Sequence, residues 1–172
     1  MAGTKLRLRL VDRTFDTCDV EVSGPAFGFR CFVNVIVIER LAEDGGHRIF
    51  FDPVNIKAGS LTVALETVQD LPDATIVPDG PPLSLTFEAG QDVTLHFDAT
   101  ADQKMLFTAS CDAPEGGCGY SLQLRAPDGQ PIRTTSQATG VPIVFEPLNQ
   151  TGSYTLLIDP LEAAGTPSIG RP

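Results

Sequence analysis

Leu6-Arg7-Leu8-Arg9-Leu10 alternates apolar and basic residues with period two, the pattern of a strand with one face on a core and the other in water. Cys18-Asp19-Val20-Glu21-Val22 alternates apolar with acidic residues, so pairing it beside the first strand would match opposite charges. The run from Cys31 to Ile38 is apolar on both faces and is expected at the centre of a sandwich. Glu43-Asp44-Gly45-Gly46 marks a turn, a strand ending in Phe51-Asp52-Pro53 follows, and Ser60 to Thr67 alternates again. Further along, Leu83–Phe87, Val93–Phe97, Lys104–Ser110, Tyr120–Arg125, Val141–Phe145 and Tyr154–Ile158 read as six more strands. Apolar residues nowhere keep helical spacing over several turns. The pattern predicts an all-β chain, mostly antiparallel and almost without helix.

One strand ending recurs. His47-Arg48-Ile49-Phe50-Phe51-Asp52-Pro53 is echoed by Tyr154-Thr155-Leu156-Leu157-Ile158-Asp159-Pro160, and an Ala-Gly pair follows each. Proline cannot donate to a sheet ladder, so both copies read as strands leaving a sheet at a fixed point. One common offset places Ala2-Gly3 on Ala89-Gly90 and Cys31 on Cys118. The expected architecture is therefore two jelly-roll or immunoglobulin-like β-sandwich repeats: a shortened one over residues 1–71, a proline-rich linker over 72–82, and a second over 83–172. The strand Ser60–Thr67 has no counterpart after Ala164-Gly165, and Leu83–Phe87 has none before Ala2-Gly3. Unpaired sheet edges are surfaces that proteins usually cover. Leu61, Val63 and Leu65 in one strand and Leu83, Leu85 and Phe87 in the other are thus candidate assembly-edge residues. A second unit, the rest of a longer array, or neighbouring molecules are the alternatives for covering them.

Charge narrows the partners. With 22 Asp and Glu against 12 Lys and Arg, the net charge of −10 repels nucleic acid and anionic lipid. No apolar run approaches the roughly 20 residues of a membrane-spanning helix. Residues 1–7 enter directly into strand-like alternation, which fits either a cytosolic chain or a mature or excised piece of an exported one.

Between Pro78-Asp79-Gly80-Pro81-Pro82 and Pro160, the chain resembles the bacterial pre-peptidase C-terminal (PPC-like) β-sandwich domains and the related repeats of secreted, surface and RHS-type proteins. Ala89-Gly90-Gln91, the alternation Val93-Thr94-Leu95-His96-Phe97, Ala101-Asp102-Gln103, the turn Ala126-Pro127-Asp128-Gly129 and the stretch from Thr151 to Pro160 carry the likeness. It covers about half the chain and rests on turns and core strands. Asp102 departs from it, since such domains more usually have Gly there. The resemblance implies a non-catalytic module of an exported bacterial protein, concerned with adhesion, attachment, secretion or assembly. In that setting the local pairs Cys18 with Cys31 and Cys111 with Cys118 are read as disulfides, with free thiols and zinc as the rival readings.

Residue types for catalysis are sparse. His47 sits beside a Gly-Gly turn and His96 faces outward from its strand, and neither adjoins a recognisable nucleophile motif. Asp12, Asp16 and Asp19, and Asp98, Asp102, Asp112 and Glu115, lie at loops and strand ends where calcium can bind, yet they lack the close spacing of a dedicated calcium loop. No cofactor is expected. Asn149-Gln150-Thr151 matches a glycosylation sequon, to which a bacterial setting gives no weight. Trp is absent and Tyr limited to two, which disfavours a sugar platform. The expected function is non-enzymatic attachment or assembly at the cell surface or outside the cell, with protein partners that include copies of the chain itself. The alternative is an accessory carbohydrate- or matrix-binding domain of a larger exported enzyme.

Overall fold

A computed structural model describes residues 4–15, 17–22, 27–30, 34–38, 41, 44–54, 58–111, 119–138, 142–160 and 167–169. These residues form strands and turns and no helix, and with one exception every strand pair is antiparallel. The chain divides into two compact units, Met1–Gln69 and Asp70–Pro172.

In the first unit, β1 (Lys5–Val11) lies between β4 (Val35–Ile38) and β6 (Thr62–Val68), while β2 (Cys18–Val22) lies between β3 (Phe27–Arg30) and β5 (Ile49–Pro53). Leu8, Leu10 and Ile36 from the first sheet pack with Cys18 and Val20 from the second, and Phe15 and half-buried Phe51 complete this core. Period-two alternation in both sheets turns these residues inward together. Two expectations are corrected here. β4 is an outer strand of its sheet, because β1 occupies the middle; Cys31, Phe32 and Val33 lie outside the described residues. The basic face of β1 does not meet the acidic face of β2, since the two strands lie in different sheets.

The counter-charge for β1 comes instead from β6. Arg7 stands opposite Glu66 in the register, and its Nε and Nη2 both donate to Glu66 Oε2, at 2.8 and 2.7 Å. Arg7 is buried to 7% exposure, so its side chain is part of the packed structure and not a solvated fringe. Arg9 Nε reaches the same oxygen at 3.3 Å. The Arg7 hydrogen bond, helped by the nearby charges of Arg9 and Arg7, holds the Glu66 carboxyl below its ordinary value of 4.5 against a smaller opposing effect of desolvation. A depressed carboxylate pKa stabilises the fold above the ordinary value and loses that contribution as pH falls through the depressed one. Glu66→Gln is therefore expected to lower the unfolding free energy at neutral pH, by removing the negative charge that faces the buried Arg7 guanidinium. The gap from the parent should close as pH falls below about 4.5; urea titrations of both proteins across that range measure it, and a gap independent of pH would contradict the assignment.

The second unit is built on a five-stranded sheet in the order β13 (Pro131–Ala138), β12 (Gly119–Arg125), β15 (Gly152–Pro160), β9 (Val93–Ala99), β7 (Ala74–Thr75). A pair made by β10 (Met105–Phe107) and β14 (Ile143–Phe145), and a three-stranded group of β11 (Ala109–Cys111), β16 (Pro167–Ile169) and β8 (Leu83–Ser84), complete it. Val93, Leu95 and Phe97, Leu122 and Leu124, and Tyr154, Leu156 and Ile158 line one face of the large sheet and form a single core with Phe87, Phe107, Ile143, Phe145 and Leu148.

The segment 72–82 belongs to this unit. β7 runs parallel to β9, the Ile76 N–H donates to the His96 carbonyl at 2.9 Å, and Leu71, Ala74 and Ile76 pack on the core. Apolar residues placed between its prolines anchor it, a pattern that proline content alone conceals.

The echoed strand endings do not occupy equivalent places. β15 pairs with β9, whereas β5 pairs with β2 and not with β1. The echo thus marks how a strand ends, and strand order differs between the two units. Turn chemistry is held locally: Gly129 has φ of 82° and its N–H donates to the Ala126 carbonyl at 2.8 Å, closing the β12–β13 hairpin. Asp102 holds φ of 67°, a left-handed conformation that glycine adopts without strain.

Candidate functional site

Paired residues on neighbouring antiparallel strands project to the same face of a sheet. Leu8 stands opposite Leu65, and Leu10 opposite Val63. Leu8 and Leu10 are core, yet Leu65 is 53% and Val63 42% exposed. The inner face of the first sheet therefore runs out from under its cover at β6. That strand pairs over its whole length with β1 and, among the described residues, with nothing on its other side. Ahead of β6 the chain is pinned at Thr14 and Ser60, with the Thr14 N–H donating to the Ser60 carbonyl at 3.1 Å and the Ser60 N–H to Thr14 Oγ1 at 2.7 Å. A Cβ on Gly59 would stand 2.8 Å from both the Phe15 ring and Thr14 Oγ1, so this approach needs glycine.

The edge is electrically quiet. Glu66 is its sole ionisable residue and is held by Arg7 and Arg9. Natural edge strands are commonly blunted by lysine, proline or a bulge; β6, Thr-Val-Ala-Leu-Glu-Thr-Val, has neither lysine nor proline, and its ladder to β1 runs without a register shift. By contrast β13, the long edge strand of the second unit, carries Arg133, Thr134 and Ser136.

The other expected edge residues have different fates. Leu61 is half-buried against the first core. Phe87 is 2% exposed and part of the second core, Leu85 packs on that core, and Leu83 pairs with Ile169 of β16. Leu83, Leu85 and Phe87 thus face inward or are covered, so of the six expected edge residues Val63 and Leu65 are the accessible ones. Phe50, exposed on the outer strand β5, is an apolar feature that pattern reading missed, because Phe50-Phe51 looks apolar on both faces.

Cys18 is buried and disulfide-bonded. Cys31 and Cys118 lie outside the described residues, and Cys111 is described only as backbone in β11. His96 lies on the outer face of the large sheet between Asp73 Oδ2, 3.2 Å from its Nε2, and Thr155 Oγ1, 3.5 Å from its Nδ1. This line of carboxylate, imidazole and hydroxyl ties the segment before β7 to the sheet. His47 is half-buried after the Gly45-Gly46 turn. Asp98, Asp102, Asp12 and Asp19 are dispersed over separate elements, and no group of three or more metal-ligating side chains gathers among the described residues; Asp16, Asp112 and Glu115 lie outside them. No described helix exists that is long and apolar enough to cross a membrane. No family model matches this chain, and no curated protein shows significant similarity to it.

Proposed function

We propose that this protein is a non-catalytic β-sandwich module of attachment or assembly at the cell surface or outside the cell, and that it works by accepting a strand from a protein partner along β6. The observation that carries the reading is an edge strand that, among the described residues, has no pairing on one side, two exposed apolar residues on its core face and a single charge that is paired. Backbone pairing gives such an interaction its strength, and pockets for alternate side chains give it selectivity. Bringing a strand against β6 extends the ladder and shields Val63 and Leu65 at the same time. A second copy of the chain is the simplest donor, and donation from copy to copy runs head to tail toward a filament. The disulfide at Cys18 supports an oxidising location, as does the likeness of Thr151–Pro160 to exported β-sandwich modules.

Light scattering across a concentration series tests the reading. The mass of the parent protein is expected to rise with concentration, whereas Val63→Lys/Leu65→Lys, a charged pair on an exposed edge, stays monomeric. A parent that remains strictly monomeric at high concentration, or a double variant that associates equally well, would overturn assembly through β6.

A further inference from the structure

The far end of β1 borders a cleft of about 510 Å³, walled by Arg9, Asp12, Arg13 and Asn34 together with apolar neighbours. That volume lies in the range of small-ligand sites, roughly 300 to 1,000 Å³. The cleft is built within the first unit: the Leu10 N–H donates to the Asn34 carbonyl at 2.8 Å, and Asp12, at φ of 52°, turns the chain so that Arg13 follows on the same wall.

Arg13 is the anomaly. Its Nη1 is buried and has no hydrogen-bond partner among the described residues. A guanidinium cannot shed its proton, so an acceptor beside it is favoured, and Arg13 as a whole is half-buried and lines the cleft. Asp12 is not that acceptor: among the described residues it pairs with neither arginine. Arg9 commits its Nε to Glu66 at 3.3 Å, which leaves the rest of its fork without a hydrogen-bond partner among the described residues. Two arginines against one aspartate make the wall locally cationic on a chain of net charge −10.

We propose that this cleft binds a small oxyanion, a carboxylate or a phosphate, held between the Arg9 and Arg13 guanidinium groups. Both anions present paired oxygens that match the planar donor fork of arginine. The site shares Arg9 with the ion pair at the β6 edge, but Arg7 also holds Glu66, so either reading stands without the other.

The test is a titration of the whole chain with sodium malonate and, separately, sodium phosphate at constant ionic strength, following arginine Nε–H and the Leu10 and Asn34 amide signals by NMR. Saturable shifts confined to these groups are expected, and the anion that saturates at the lower concentration identifies the ligand as carboxylate or phosphate. Arg13→Gln should weaken binding about tenfold or more, as removal of a charge-assisted hydrogen bond does, while Arg125→Gln in the second unit leaves it unchanged. Should Arg13→Gln not fold, Arg9→Gln, at an exposed position, is read in its place with the same expectation. Shifts that stay linear with both anions, or a folded Arg13→Gln that binds like the parent, would overturn the site.

Discussion

Tyr154→Ala is expected to destabilise the second unit by about 3 to 5 kcal/mol, the usual cost of emptying a large aromatic site in a core. Tyr154 has no exposed surface, lies in the centre of the sheet and stacks on Phe97 with ring centroids 5.6 Å apart. Its hydroxyl donates to the Gln150 carbonyl at 2.7 Å and accepts from the Gln150 N–H at 3.2 Å. One side chain thus fills the core and also fastens the loop that leads into β15, as the tyrosine corner does in immunoglobulin-like sandwiches. Tyr154→Phe separates the two contributions: it keeps the ring and strands the Gln150 backbone groups, for an expected loss of about 1 to 3 kcal/mol. Denaturant titration gives both values. A phenylalanine variant as stable as the parent would show that the loop is fixed by other contacts, the Gln150 to Asp128 hydrogen bond of 2.9 Å foremost.

Leu8→Ala has the corresponding effect in the first unit, an expected loss of about 2 to 5 kcal/mol. Leu8 is fully buried in the central strand of its sheet and touches both layers of a core with few members. A unit of this size buries a smaller share of its surface than a larger domain does, and its total stability is of the same order as the loss. Hydrogen exchange of the β1, β4 and β6 amides reads the outcome. Protection should fall to that of an unfolded segment in Leu8→Ala and persist in Leu65→Ala, which lies opposite Leu8 in register but largely in water.

That contrast also shows how far pattern reading reaches. Alternation identified β1, β2 and β9, each with one face on a core, and it placed Leu8 and Leu95 inward; it identified β6 equally well although the apolar face of that strand is largely exposed. It failed at β13, whose Arg133-Thr134-Thr135-Ser136-Gln137 has no apolar stripe. That strand forms because the Asp128-Gly129 turn folds it back onto β12, and only the turn was visible beforehand. Residues 72–82 misled in the opposite sense, since four prolines outweighed Leu71, Ala74 and Ile76. Partnership between strands was the least legible property. The sequence pattern matched Arg7 with the acidic face of β2, whereas the sheet order gives it Glu66. For the edge, period two found Val63 and Leu65 but could not separate them from Phe87, because an alternating strand reads alike whether its apolar face is covered or bare.

The parallel strand β7 has a mechanical consequence. The Leu71 N–H donates to the Asp92 carbonyl at 2.8 Å, and Ile158 stands opposite Val93, so the chain enters the five-stranded sheet and quits it at the same end. Tension applied between Leu71 and Pro160 therefore bears on the terminal hydrogen bonds flanking β9 and peels them one after another, where a chain entering and leaving at opposite ends would load the whole ladder in shear. A tether built on this module would give way gradually at low force, with His96 and its link to Asp73 among the first contacts to part.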